Sequence, residues 1–255
     1  MKLRHWIAAM TVAATLPALA AVESREITLP NDLGSAVLYT SGKAEAGPAV
    51  IVVHEWWGLN DYARDRARQL AEAGYTAIAV DMYGHGKVAD HPKDAQAFMQ
   101  AALAEPEKMG ARFNAARAAL AAEPNVDATR IYGVGYCFGG AVVLNQARMG
   151  ADLAGVASFH GSVGTNNPAQ AGKVKARIFV ATGGADPMIP PEQVGNFVTE
   201  MMTAEADLKL ISYPGVLHGF TNPGATEVGK THNMPVAYDE HADQDSWKAL
   251  MEFIK

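Results

Sequence analysis

The stretch Gly135-Tyr136-Cys137-Phe138-Gly139 carries most of the fold prediction, because it sets a nucleophile between a strand-like run (130–134) and a helix-like run (141–148). Glycines two positions either side of a reactive residue let a strand and a helix approach closely in a strained turn. The side chain then projects from the sheet edge, beside the next backbone N–H and the positive start of the helix. The pattern indicates an enzyme with Cys137 as nucleophile. The alternative is a small buried thiol beside packing glycines.

Apolar runs of strand length alternate with Ala-rich amphipathic segments along the chain. This alternation predicts an α/β fold with a mostly parallel central sheet and helices on both faces. The predicted strands are 49–53, 76–80, 130–134, 155–159, 178–181 and 208–213, preceded by a hairpin of 26–29 and 36–40. Helices are predicted to start at Asn60, Pro92 and Pro190-Pro191, and a last one covers 243–254. Residues 221–237 have no clear period and are predicted to form a long loop, a candidate lid or substrate wall.

Residues 1–20 have the pattern of a secretory signal peptide, with Lys2 and Arg4 before an apolar segment and an Ala18-Leu19-Ala20 cleavage site. The apolar segment is shorter than the roughly twenty residues that span a bilayer. Cleavage is therefore favoured over the alternative of an uncleaved anchor. We expect a secreted protein, periplasmic in a bacterium with two membranes, with 21–255 as a single domain and no membrane insertion after cleavage.

Charge and cysteine content exclude several classes of partner. The chain has 27 acidic and 21 basic residues, and loss of Lys2 and Arg4 would change the net charge from −6 to −8. A negative protein is a poor ligand for nucleic acid or anionic membranes.

The single cysteine cannot form an intramolecular disulfide, so an exported lone thiol is either buried and inert or kept for its reactivity. No H-E-x-x-H or comparable spacing links the histidines, so we predict neither a metal nor another cofactor. The oligomeric state is not predicted.

Two further residues follow predicted strands at the edge where open parallel sheets bind ligands. Asp186 lies in Thr182-Gly183-Gly184-Ala185-Asp186-Pro187, and His218 lies in Gly215-Val216-Leu217-His218-Gly219-Phe220. With Cys137 they give the order nucleophile, acid, histidine of α/β-hydrolases. The histidine would accept the thiol proton and the carboxylate would orient it. Taken singly, Asp186 fits a turn residue and His218 a solvated loop histidine.

A third loop contributes Glu55, directly after the strand at 49–53. This loop supplies the second oxyanion-hole N–H in such folds, here assigned to Trp56 beside that of Phe138. Beside Cys137, Glu55 could hold the thiol protonated or remove its proton; alternatively it caps the helix at Asn60 or pairs with an arginine. Trp57 and Trp56 are candidate walls of an apolar pocket, with core packing as the alternative.

These residues give the chain a resemblance to the dienelactone hydrolase family of α/β-hydrolases over about residues 48–255. The resemblance rests on His-Glu-Trp-Trp-Gly-Leu-Asn around Glu55, Asp81-Met82-Tyr83, Gly-Tyr-Cys-Phe-Gly-Gly around Cys137, Asp186 and His218-Gly219-Phe220. It implies hydrolysis of a lactone or ester through a thioester acyl-enzyme, with Glu55 helping to activate a thiol that otherwise rests neutral.

The chain departs from the family at two positions where an arginine clamps the substrate carboxylate. His85 and Asn222 stand there, and neither is a permanent bidentate cation. A neutral or differently charged small-molecule ester or lactone fits these residues better. The substrate-binding candidates are therefore Trp57, Tyr83, His85, His160 and Asn222. For His160, a packed or hydrogen-bonded role is the alternative.

The leading hypothesis is thus an exported hydrolase of small esters or lactones that uses Cys137, His218 and Asp186. A second hypothesis is a binding or redox-responsive thiol protein that retains the pocket without efficient turnover. A third is a transferase that passes the acyl group to an alcohol or amine. No residue separates the last from a hydrolase.

Overall fold

The computed structural model describes residues 21–255, and within them the apolar runs form eight strands of one sheet. The strands are β1 (Glu23–Thr28), β2 (Ser35–Thr40), β3 (Gly47–Val53), β4 (Thr76–Val80), β5 (Val126–Tyr136), β6 (Gly155–Phe159), β7 (Arg177–Gly183) and β8 (Leu208–Tyr213). Their order across the sheet is β1-β2-β4-β3-β5-β6-β7-β8. The hairpin partner β2 pairs antiparallel with β1 and β4, and the other pairs are parallel. The predicted mostly parallel sheet is confirmed.

Helices cover both faces of the sheet, as predicted. Those of residues 21–255 are α1 (Asp61–Glu72), α2 (Pro92–Leu103), α3 (Pro106–Ala121), α4 (Phe138–Arg148), α5 (Pro191–Thr203), α6 (Ala225–His232) and α7 (Glu240–Phe253). Asn60 caps α1 by accepting a hydrogen bond from the Ala63 N–H (3.3 Å), and Pro92 and Pro191 are the first residues of α2 and α5. Helix α3 is not among the sequence predictions.

The prediction of a long loop over 221–237 is wrong for eight of its residues, which form α6. The helix is short, and only Ala225 and Gly229 are buried in it, so its sequence shows no apolar stripe. It ends at Asn233, which adopts the left-handed conformation (φ 51°) that stops a helix.

The core consists of two apolar clusters, one on each side of the sheet. In β3, Ile51 packs on the side of α3, α4 and α5, whereas Val50 and Val52 pack on the side of α1 and α7. A strand that is buried on both faces has an uninterrupted apolar sequence, which is why 49–53 was recognisable. This packing fixes the carboxyl ends of β3, β5, β7 and β8 along one edge, where the candidate residues follow.

Within residues 21–255, no helix has the length and apolar character needed to cross a membrane. The predicted signal peptide at 1–20 lies outside the described residues.

Candidate active site

Cys137 lies at the sharp turn between β5 and α4. Its backbone has φ 52° and ψ −112°, a conformation that is strained for a residue with a Cβ atom. A Cβ atom on Gly135 would lie 2.0 Å from the Gly139 carbonyl oxygen, so only glycine fits there. The Cys137 N–H donates to the Phe159 carbonyl of β6 (3.0 Å), and the thiol is partly exposed. The turn therefore presents the sulfur at the sheet edge.

His54, which the sequence analysis did not single out, holds the loop after β3 against this turn. Its carbonyl accepts a hydrogen bond from the Gly139 N–H (3.1 Å), and its ring is fully buried. Nε2 accepts from the Met82 N–H (3.1 Å), so the proton is on Nδ1, which donates to the Glu55 carbonyl (2.5 Å). Burial lowers the pKa of His54, in keeping with a neutral ring. The sequence feature that could have pointed to His54 is its position directly after the predicted strand 49–53.

Two backbone N–H groups flank Cys137 without a protein acceptor. Among residues 21–255, neither the Trp56 N–H nor the Phe138 N–H donates a hydrogen bond to protein, and both residues line one cavity with Cys137. Phe138 is the first residue of α4, so the helix dipole adds to its N–H. The Glu55 carbonyl, in the same peptide unit as the Trp56 N–H, accepts from His54 Nδ1 (2.5 Å), and this bond orients that peptide. The pair has the composition of an oxyanion hole.

His218 and Asp186 meet beyond the ends of β8 and β7. His218 Nδ1 donates to Asp186 Oδ2 (2.7 Å), and Asp186 Oδ1 accepts from the Met188 N–H (2.8 Å). The Asp186 side chain is completely buried. This leaves His218 Nε2 free to accept a proton, and it has no hydrogen-bond partner of good geometry in the described part of the chain. Catalytic hydrogen bonds are often loose before a substrate binds.

The charges around His218 favour its protonated form. Burial alone would lower the pKa of His218, but a thiolate at Cys137 and the Asp186 carboxylate outweigh burial and raise the pKa to about 10. A thiolate at Cys137 and an imidazolium at His218 would therefore stabilise each other.

Glu55 lies in the same cavity and is bonded to Asn222 rather than to the thiol. The Asn222 Nδ2 group donates to Glu55 Oε2 (2.7 Å), across 167 positions of sequence. Burial raises the pKa of Glu55, although the Asn222 hydrogen bond and the charges of His218 and Arg66 oppose the change. The structure thus brings Glu55 and Asn222 to Cys137 and His218, with the carboxyl biased toward its neutral form.

Three of the predicted substrate-contact residues do not line this cavity. The Tyr83 hydroxyl is engaged by Trp56, and His85 is exposed in the loop after β4. His160 is buried behind His218, with ring centroids 5.1 Å apart, and its Nε2 bonds to Thr221 Oγ1 (2.8 Å). Burial and the charge of His218 lower the pKa of His160 well below its usual range. His160 is therefore a neutral packing neighbour of His218.

The cavity above Cys137 has a volume of about 490 Å³. Trp56, Trp57 and Asn222 line it, and the segment 221–237 contributes four more wall residues: Ala225, Val228, Met234 and Val236. No lysine or arginine lines it among residues 21–255, so its walls are apolar apart from a few polar groups. In the same range no cluster of three or more His, Cys, Asp or Glu side chains could hold a metal ion.

The sequence profile of the dienelactone hydrolase family matches residues 35–255. The chain belongs to the dienelactone hydrolase family.

Individual relatives and solved structures are similar to this chain over most of its length. "Protein usf" of Aquifex pyrophilus is 28% identical over 213 residues, which cover 82% of this chain and 88% of the relative. The "Putative carboxymethylenebutenolidase" of Salmonella typhimurium is 27% identical over 230 residues, covering 85% and 80%. The solved structure of a dienelactone hydrolase-like promiscuous phosphotriesterase from metagenomic libraries is 30% identical, with a TM-score of 0.83 over 92% of this chain and 98% of that one. The chain is a dienelactone hydrolase-like hydrolase with the α/β-hydrolase fold.

The dienelactone hydrolase match includes both positions that lack the expected arginines. His85 lies away from the cavity, whereas Asn222 lies in its wall and bonds to Glu55. The cavity above Cys137 therefore has an amide at a position where the resemblance implied a cation.

Proposed function

We propose that this protein is an exported hydrolase that cleaves small, neutral carboxylic esters or lactones through a Cys137-His218-Asp186 triad. The observation that carries the proposal is the 2.7 Å contact from His218 Nδ1 to Asp186, because it commits Nδ1 to the carboxylate and leaves Nε2 to exchange a proton in the cavity that holds Cys137. Export rests on the sequence of residues 1–20. N-terminal sequencing of the periplasmic protein tests it, with Ala21 expected as the first residue.

The first half of the reaction forms a thioester. His218 Nε2 takes the thiol proton, Sγ attacks the carbonyl carbon, and the oxyanion accepts hydrogen bonds from the Phe138 and Trp56 N–H groups. The C–O bond then breaks, and His218 returns its proton to the leaving oxygen.

The second half uses the same residues on water. His218 removes a proton from water, the hydroxide attacks the thioester carbonyl, and the C–S bond breaks. The thiolate recovers a proton and the carboxylic acid leaves. A metal or organic cofactor takes no part in these steps.

Trapping of the acyl group tests this route directly. Mature protein mixed with p-nitrophenyl acetate and quenched in acid within the first turnover is expected to gain one acetyl group, mapped by peptide mass spectrometry to Cys137. Hydroxylamine should remove the group, as it does from thioesters. An acetyl group on another residue, or turnover with no adduct under conditions of burst release, would contradict a Cys137 acyl-enzyme. A wild-type protein that turns over no ester or lactone but forms sulfenic acid at Cys137 would favour the redox-thiol alternative.

We expect Glu55 to increase the catalytic rate and to lower the stability of the folded protein. Its ionised form and a protonated His218 attract each other, since the charge of His218 lowers the Glu55 pKa. The carboxylate would therefore favour proton transfer from the thiol to His218. We expect Glu55→Gln to lower kcat/KM by about tenfold.

The same variant should be more stable than wild type at high pH. Because burial raises the pKa of folded Glu55, the folded state binds this proton more tightly than the unfolded chain. Stability is therefore lost as pH rises from the ordinary carboxyl range through the raised pKa. We expect Glu55→Gln to raise Tm by about 2–4 °C at pH 8 and by less at pH 5, measured by scanning calorimetry.

Glu192→Gln is the matched control, because Glu192 is exposed in the first turn of α5 and lies outside the cavity. Its change in Tm should not depend on pH in this way. A Glu55→Gln gain in Tm that is equal at both pH values would show that burial of the carboxylate is not the cause.

A further inference from the structure

A second cavity of about 290 Å³ adjoins the one above Cys137. The two cavities share four wall residues, namely Leu103, Phe138, Ala141 and Asn145. Beyond this junction the second cavity continues between α3 and α4 toward Met149 at the C-terminal end of α4. From Ala141 to Met149 the helix rises about 12 Å, at 1.5 Å per residue. A substrate that entered at Cys137 could therefore extend well past the reacting carbonyl.

The walls of the second cavity are mostly apolar. Among residues 21–255, Arg148 is the only charged residue that lines it, and its Nε and Nη2 atoms bind the Glu200 carboxylate (2.8 and 2.9 Å). Nη2 also donates to the Val163 carbonyl (2.6 Å). The remaining polar wall groups are amides and one hydroxyl, so the cavity suits a neutral chain rather than an ion.

Exposed apolar side chains are concentrated around the two cavities. Five large apolar side chains are exposed among residues 21–255, and three of them line these cavities: Leu103 (51%), Met149 (62%) and Met188 (41%). Clustered exposed apolar groups at a groove mark a binding surface, whereas isolated ones do not. Methionine also adapts to ligands of different shape.

The position of His218 decides which part of an ester extends into the second cavity. The leaving alcohol takes its proton from His218, so it must lie on the side of that residue, and His218 lines only the first cavity. Phe138, which carries an oxyanion N–H, stands at the junction. The acyl chain therefore leads away from His218, past Phe138, into the second cavity.

On the basis of the hydrolase function proposed above, we propose that the second cavity is an acyl-chain subsite, and that the preferred substrates are esters of linear, uncharged medium-chain acids. Within residues 21–255, neither cavity offers a lysine or an unpaired arginine to an acyl carboxylate. The chain instead buries its methylene groups against Leu103, Met109 and Met149.

A larger side chain at Gly110 would fill this subsite without changing a catalytic residue. It lies in α3 and lines only the second cavity, and a Cβ atom there would meet nothing nearer than Gln146 Nε2 at 4.0 Å. Leucine also has a higher helix propensity than glycine, so Gly110→Leu should fold. Gly195→Leu is the matched control, because Gly195 is exposed in α5, lines neither cavity and has nothing within 4 Å of its Cβ position.

The test compares p-nitrophenyl acetate with p-nitrophenyl octanoate, which differ only in the acyl chain. In wild type and Gly195→Leu we expect kcat/KM to favour octanoate by about tenfold or more. In Gly110→Leu we expect the octanoate value to fall about tenfold and the acetate value to stay within about twofold. Equal acetate and octanoate values in wild type, or equal losses for both substrates in Gly110→Leu, would overturn the subsite while leaving the hydrolase intact.

Calorimetric binding of octanamide separates the subsite from the reaction itself. If no ester is turned over, the proposed function fails, and the subsite stands only if Gly110→Leu binds octanamide at least about fivefold more weakly than wild type and Gly195→Leu do. Equal binding by all three proteins would overturn it.

Discussion

Cys137→Ala is expected to lower kcat/KM for p-nitrophenyl acetate by about 10⁴-fold or more, because it removes the atom that attacks the carbonyl. The residual rate would come from the oxyanion N–H groups and from substrate binding, which the substitution leaves in place. Steady-state kinetics with mature protein measure the effect. A loss of less than about tenfold would show that Cys137 is not the nucleophile.

The ionisation of His218 provides a second measurement on the same variant. A thiolate at Cys137 is a principal cause of the raised His218 pKa of about 10. We therefore expect the His218 pKa to be lower in Cys137→Ala, measured by NMR titration of the imidazole. An unchanged pKa would mean that the thiol and the imidazole do not act as a pair. An unchanged thermal unfolding profile would exclude loss of fold as the cause of the lost activity.

Asp186→Asn is expected to lower kcat by about 10³–10⁴-fold with little change in KM. Asp186 Oδ1 already accepts from the Met188 N–H (2.8 Å), so the amide oxygen of the asparagine must stay there. Its NH₂ group would then face His218 Nδ1 and force that nitrogen to accept. The proton would move to Nε2, which could no longer take one from the thiol.

Asp152→Asn is the matched control for that substitution. Asp152 is exposed, pairs with Arg117 at the surface (2.6 Å) and lines neither cavity. We expect it to leave kcat unchanged, since an exposed ion pair contributes about 0–1 kcal/mol at most. A loss of less than about tenfold in Asp186→Asn, or an equal loss in both variants, would contradict the orienting role of Asp186.

The fold was predictable where burial leaves a continuous apolar run. The predicted strands at 76–80, 155–159 and 208–213 coincide with β4, β6 and β8. Strand β5 begins four residues before the predicted start, and those four residues were missed because they include the polar residues Asp127 and Thr129. Helix α6 was missed because it has only eight residues, of which only Ala225 and Gly229 are buried, so its sequence carries little signal.

The site was predictable only as far as strand ends and turns determine it. The placement of Cys137, Asp186 and His218 at one sheet edge follows from a parallel sheet. By contrast, the hydrogen bond from Asn222 to Glu55 joins residues 167 positions apart, and the Trp56 carbonyl accepts from the Tyr83 hydroxyl of another loop. Such contacts depend on side-chain packing that no local pattern encodes.

The strained turn at Cys137 determines at which stage of folding the thiol becomes reactive. The turn is held by β6 through the Phe159 carbonyl and by the loop after β3 through the His54 carbonyl. Neither contact is local, so the helix end, the histidine and the thiol come together only when the central sheet has assembled. Under the export proposed above, the unfolded chain in transit across a membrane would carry an ordinary cysteine. On the proposed function, reactivity would be acquired only with the finished fold, which would protect both the newly made enzyme and the machinery that handles it from premature acylation.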